Sequence, residues 1–171
     1  MTTKSFVYQR YSCRHYSERP VDRYLLEDII FAGMQAPSAR NEKPWEFIVV
    51  TSKMGKENIA LIGPQAACCK EASAVIIAVA NLSRIPNESP WWIQDMSACV
   101  ENMLIRATEL QLGSVWLGVY PRPARVKQLQ CLFHLESYQI PIAAIPVGYP
   151  ETPHERSICI EEERIHWEEN K

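Results

Sequence analysis

Apolar residues recur along this chain at two spacings, and the change from one to the other outlines its elements. Leu25, Ile29, Ala32 and Ala36 repeat at helical intervals after Pro20. They predict a helix with Asp22 as N-cap and Val21 placed to staple onto Leu26, ended by Pro37 because the residue before proline is pushed out of the helical region. Upstream, Ser5–Tyr11 reads as a short first helix leading into a polar stretch, Ser12–Arg19. Phe47–Val50 reads as a strand, Lys56–Ile62 as a short helix and Val75–Ala80 as a buried strand. Beyond a proline-bearing loop, Ile85–Pro90, the positions Met96, Cys99, Met103, Ala107 and Leu110 predict a long amphipathic helix from Trp92 to Gln111, with Gly113 as its stop. Ser114–Val119 reads as a strand, Pro123 opens a helix reaching Cys131, and Ile140–Val147 is a further strand interrupted by proline. The alternation predicts a mixed α and β class around one sheet.

The length of 171 residues suits one domain, residues 1–171, and the apolar and charged fractions of 47% and 22% suit an ordinary globular chain. Residues 156–171 carry too few periodic apolar positions to close a core, and are expected to form an arm that packs on another subunit. A net charge of −2 gives no reason to expect a nucleic acid or an anionic membrane as partner. The longest apolar runs, Ala72–Leu82 and Ile140–Gly148, fall short of the roughly 20 residues that cross a bilayer. Met1–Phe6 lacks the apolar core of a secretory signal, so the expected location is the cytoplasm. The six cysteines, at 13, 68, 69, 99, 131 and 159, form no CxxC pair and share no ligand spacing with the four histidines. They read as reduced thiols that mostly pack as small hydrophobes, with no metal site.

Several catalytic schemes find no motif. There is no G-x-G-x-x-G, no P-loop and no G-x-S-x-G elbow, and Glu161–Glu163 reads as a solvated charged face. Basic residues do gather near the start, at Arg10, Arg14, Arg19 and Arg23. Within Arg10-Tyr11-Ser12-Cys13-Arg14, two guanidinium forks and a hydroxyl could bind phosphate oxygens or a polarised carbonyl, or simply form surface ion pairs. In Ala36-Pro37-Ser38-Ala39-Arg40-Asn41-Glu42-Lys43-Pro44-Trp45, small residues would let the backbone approach a flat ligand, with Ser38 and Asn41 on its polar edge. On composition alone the same segment reads better as a capped helix–loop–strand connection with Trp45 buried in the core.

Taken in order, these segments resemble the nitroreductase family of flavoproteins. The matching residues are Arg10, Ser12 and Arg14, then Pro20-Val21, then Ala36-Pro37-Ser38 with Asn41, Pro44, Trp45 and Phe47. Leu110-Gln-Leu-Gly113, Val115-Trp-Leu-Gly118 and Pro146-Val-Gly-Tyr-Pro150 continue the likeness towards the tail. The resemblance implies an α+β fold with a central, mostly antiparallel sheet flanked by helices, in an intertwined homodimer holding FMN at its interface. Arg10 and Ser12, with Tyr11 between them and Arg156 from the tail, would hold the phosphate end. Arg14 would face the N1/C2-carbonyl side of the ring, where a fixed cation favours the negatively charged reduced state. Pro37, Ser38, Ala39 and Asn41 from the partner would line the ring and ribityl chain, and Leu117 and Gly118 would offer backbone near N5. Gln65 would take the place of a basic or amide residue at the flavin edge, Cys68 and Cys69 stand where lysine is common, and Ser73 replaces a common proline.

The implied activity is a ping-pong transfer of hydride or electrons from NAD(P)H to a small acceptor such as a nitroaromatic or quinone. The flavin carries the chemistry, and no catalytic side chain is expected. Trp91, Trp92 and Tyr120 are candidate walls for the substrate, although the tryptophans could equally anchor the long helix. The same family also hosts reductive dehalogenation and flavin fragmentation, and a non-catalytic flavin-binding dimer is a further alternative.

Overall fold

The computed structural model describes residues 5–86, 89–152 and 160–168. In chain order its elements are α1 (Phe6–Gln9), α2 (Arg23–Met34), β1 (Trp45–Val50), α3 (Lys53–Ala60), β2 (Ala74–Asn81), α4 (Trp92–Glu109), β3 (Gly113–Ser114), β4 (Leu117–Gly118), α5 (Pro123–Leu132) and β5 (Gln139–Gly148), with 3₁₀ turns between them. The strands form one sheet in the order β1-β2-β5-β3, with β4 also paired to β5, and every pairing between them is antiparallel. Among the described residues no helix is long and apolar enough to cross a membrane.

β2 is buried along its whole length because helices cover both faces of the sheet. Its even positions, Ala74, Ile76, Ala78 and Ala80, pack with α2 and α4, while Val75, Ile77 and Val79 pack with α3, the 3₁₀ segment Pro64–Lys70 and α5. That division follows from the two-residue period of a strand. α2 turns Leu26, Ile29, Ile30 and Gly33 inward, a stripe rotated from the expected Leu25, Ile29, Ala32 and Ala36, and stops at Met34, short of Pro37. Asp22 occupies the N-cap position without a side-chain cap, and Ser73 Oγ instead accepts the Val21 N–H at 2.7 Å.

Two expectations about the far side of the sheet are corrected. α4 is ended not by Gly113 but by Gln111, whose φ of 60° is left-handed. The Gln111 and Leu112 N–H groups close back onto Thr108 O and Ala107 O, the paired bonds of a Schellman turn. The continuous strand expected over Ser114–Val119 is split into β3 and β4. Opposite the gap stands Pro146 of β5, which has no N–H to offer a neighbouring strand. Its carbonyl accepts the Tyr16 hydroxyl at 3.3 Å instead.

Tyr16 belongs to a segment that runs along this edge of the sheet. Ser12 bridges Ser114, the Cys13 N–H donates to Ser114 O at 3.0 Å, and the Ser17 N–H donates to Tyr149 O at 2.9 Å. Cys13 and Tyr16 are buried while Ser12, Arg14 and His15 are exposed, so the stretch Ser12–Arg19 is not uniformly polar in its environment. Both buried side chains sit where Gly113 and Gly148, paired across β3 and β5, leave room. A Cβ on Gly113 would fall 2.5 Å from Cys13 Sγ, and one on Gly148 would fall 2.8 Å from the Tyr16 ring. The Tyr16 hydroxyl also donates to Cys13 O at 2.7 Å, locking the turn between them.

This seat is expected to be costly to disturb. Gly113→Ala should lose about 1–3 kcal/mol by overpacking against Cys13, and Tyr16→Phe about 1 kcal/mol through the lost hydrogen bonds. Urea unfolding checks both, and parental stability in both variants would contradict the packing described.

Candidate functional site

With Cys13 and Tyr16 held inward, Arg14 between them emerges into a cleft of about 350 Å³. The cleft brings together five residues expected from sequence: Arg14, Gln65, Leu117, Gly118 and Tyr120. Gln65 arrives on the 3₁₀ segment Pro64–Lys70, and Leu117 and Gly118 arrive on β4. A Cβ on Gly118 would meet nothing, so this backbone borders open space. Arg125 of α5 steadies that strand by donating from Nη1 to Gly118 O at 2.6 Å.

Arg125, Arg122 and Trp116 also line the cleft, and sequence reasoning passed over all three. The available signal was the run Tyr120-Pro-Arg-Pro-Ala-Arg125, two arginines bracketing a helix start just beyond a Gly-bearing strand. Among the described residues, none that lines the cleft is acidic. Behind it lie Cys68 and Cys69, both buried, as expected for packing thiols. Cys68 Sγ donates to Gln65 O at 3.4 Å. Hydrogen bonding to Cys69 draws the Cys68 thiol below its ordinary pKa against the effect of burial, with help from the Arg14 charge, and the Cys69 thiol is pushed up. Cys13 and Cys99 are buried too, Cys131 is exposed, and Cys159 lies outside the described residues.

Arg10 and Arg14 part company. Arg10 Nε pairs with Glu101 Oε1 of α4 at 3.3 Å, so its guanidinium lies over that helix. Tyr11 is half-buried against the core beneath α3, where burial and a hydrogen bond with Cys13 push its hydroxyl pKa up, and Ser12 is exposed. Arg156 lies outside the described residues.

Pro37, Ser38, Ala39 and Asn41 are not among the residues lining the cleft; they form a loop beside the start of α4. Arg40, Asn41 and Lys43 all take left-handed backbone, with φ of 52°, 58° and 48°. Such conformations are unfavourable for residues with a Cβ and persist only where the surroundings enforce them. Here Ser38 Oγ accepts the Lys43 N–H, and Asp95 Oδ1 accepts the Ala39 N–H, both at 3.0 Å. Asp95 is a second residue that sequence reasoning missed, although an acid beside Met96 on the apolar stripe of α4 was the signal. It is buried, and its Oδ2 has no partner among the described residues. Burial pushes its carboxyl pKa up, the Ala39 N–H draws it down, and the Glu42 charge pushes it up again.

The expected aromatic wall divides. Trp92 meets Tyr120 edge to face, with ring centroids 5.1 Å apart, so it both anchors α4 and fixes a wall of the cleft. Trp91 precedes α4, is 51% exposed, and does not line the cleft. Trp45 is buried in the core, as the structural reading of its segment had it.

Comparison with known proteins gives this arrangement its context. The nitroreductase family model matches residues 7–67 and 69–149. A protein of Methanothermobacter thermautotrophicus provisionally named an NADH dehydrogenase/NAD(P)H nitroreductase is 40% identical over 162 residues, which span 93% of this chain and 83% of that protein. A solved structure from Parabacteroides distasonis with the same provisional name superposes with a TM-score of 0.91 at 34% identity, covering 98% of both chains. Another, from Desulfovibrio desulfuricans and provisionally named a nitroreductase, is in complex with FMN; it superposes with a TM-score of 0.83 at 27% identity, over 100% of this chain and 99% of that one. Its sheet, its long α4 and its matched residues together show that the chain belongs to the nitroreductase family.

Proposed function

We propose that the chain is an FMN-dependent oxidoreductase that takes electrons from NAD(P)H and passes them to a small acceptor, such as a nitroaromatic or quinone, in alternating half-reactions. The observation that carries the reading is the cleft itself: an arginine whose backbone is held by its buried neighbours, opposite a strand whose backbone is bare at Gly118, with no acid among the described residues that line the site. These residues fit a flat cofactor that gains negative charge on reduction. When bound, FMN supplies the electron-accepting and electron-donating chemistry. Arg14 would provide a cation for its N1 side, Gln65 an amide for the ring edge, and Leu117 and Gly118 backbone near the ring. By the family likeness, Arg10, Tyr11 and Ser12 would hold the phosphate end, joined by Arg156, with Arg10 exchanging its pairing with Glu101 for the phosphate.

The reading includes a homodimer. Pro37, Ser38, Ala39 and Asn41 lie apart from the cleft in one chain, and a second copy presents them to it. Their strained, braced loop is the kind of backbone found at ligand sites. Ile160, Ile165 and Trp167 of the tail are exposed, at 52%, 52% and 82%, as suits an arm that covers a partner.

Purified protein should be yellow, carry one FMN per chain and oxidise NADH or NADPH when a nitroaromatic is supplied; bound FMN without nicotinamide oxidation would support a storage protein instead. Arg14→Gln should lower the flavin midpoint potential by roughly 30–60 mV, equivalent to about 1.4–2.8 kcal/mol for two electrons. Arg10→Gln should instead weaken FMN binding by about 1.5–3 kcal/mol. Potentiometry and fluorescence titration check the pair, and small, equal effects would contradict the assignment.

A further expectation concerns the brace under the loop. An acid whose folded pKa is raised costs stability where it is ionised, and the cost fades as pH falls through the raised value. Asp95→Asn keeps an acceptor for Ala39. Its melting temperature should therefore exceed the parent's at about pH 8 and lose that advantage at about pH 4. Scanning calorimetry of the two proteins checks this, and an advantage that grows as pH falls would contradict it.

A further inference from the structure

The cleft carries more positive charge than a single flavin ring requires. Arg14, Arg122 and Arg125 all line it, with no acid among the described lining residues, in a chain whose net charge is −2. Arg14 serves the cofactor in the reading above, and Arg125 is committed to Gly118 O. Arg122 is left over. It sits at the residue that opens α5, is exposed, and its guanidinium makes no hydrogen bond or ion pair among the described residues. Beside it in the same cleft stand Trp116 and Tyr120, both half-buried, with Tyr120 held by the edge of Trp92.

Aromatic walls with a cation at the mouth recognise a flat ring that bears an anion. The ring stacks, and the planar guanidinium accepts a carboxylate through two parallel hydrogen bonds. We propose that the cleft selects planar acceptors carrying a carboxylate, with Arg122 as the residue that sets this preference. The inference rests on the flavin reading and names the substrate class of that site.

Two measurements test it. In calorimetric titration of the purified holoprotein, benzoate should bind about three- to ten-fold more tightly than the neutral isostere benzamide, the range between an exposed ion pair and a forked one. The ratio should shrink in high salt and collapse towards one in Arg122→Gln. In turnover, the KM ratio between 4-nitrobenzamide and 4-nitrobenzoate should collapse in the same variant. Equal binding of benzoate and benzamide by the parent would overturn the proposal. So would an Arg122→Gln effect that falls on FMN affinity or on the KM for NAD(P)H, which would assign the arginine to a phosphate. If neither nitro compound is reduced, the nitroreductase activity fails as a reading, and the benzoate titration still decides the carboxylate preference.

Discussion

The seating of Cys13 and Tyr16 against the paired glycines Gly113 and Gly148 is the contact on which the rest of the site depends. It has to occur at that place. Pro146 leaves the edge of β5 without a donor, the strand opposite breaks into β3 and β4, and the Tyr16 hydroxyl takes the carbonyl that the ladder does not use. Two buried anchors three residues apart, joined by a hydrogen bond from Tyr16 to the Cys13 carbonyl, leave the intervening chain little freedom. Arg14 is therefore aimed by the packing of its neighbours, and only weakly by contacts of its own: its hydrogen bond to Ser12 O is long at 3.4 Å. A long, charged side chain loses little by being held this way if its partner is a bound ligand.

The structure also separates two halves of one machine. The cleft gathers a cation, an amide, bare backbone and aromatic walls, while the loop around Ser38 and Asn41 sits elsewhere, forced into left-handed conformations and braced by a buried acid. Strain of that kind gathers at ligand sites, and the described residues of one chain place no cleft against this loop. The proposed dimer resolves the puzzle by giving each cleft the loop of the other protomer. On that view Asp95 is a positioning residue whose burial costs stability in exchange for geometry.

Much of this was legible in the residues. The helices came from their apolar spacing, β2 from its uninterrupted apolar run, four cleft residues from the ordered likeness to a known family, and Tyr120 from its aromatic ring as a candidate substrate wall. What was missed has a physical cause in each case. The Ser12–Arg19 stretch looked polar because burial of Cys13 and Tyr16 depends on two glycines a hundred or more positions away. Gly113 looked like a helix stop because the residue that does the stopping, Gln111, carries a side chain that rarely adopts its φ. The strand at Ser114–Val119 looked continuous because its break is imposed by a proline on another strand. Arg122 and Arg125 carried no motif, and only the fold places them at the cleft.

A crystal structure of the FMN complex tests the central claim most directly. The account predicts the isoalloxazine ring in the cleft, with Arg14 of one protomer and Ser38 or Asn41 of the other within hydrogen-bonding distance of the same cofactor, about 3.2 Å or less. A flavin bound away from Arg14, or one enclosed by a single chain with the Ser38–Lys43 loop turned to solvent, would contradict it.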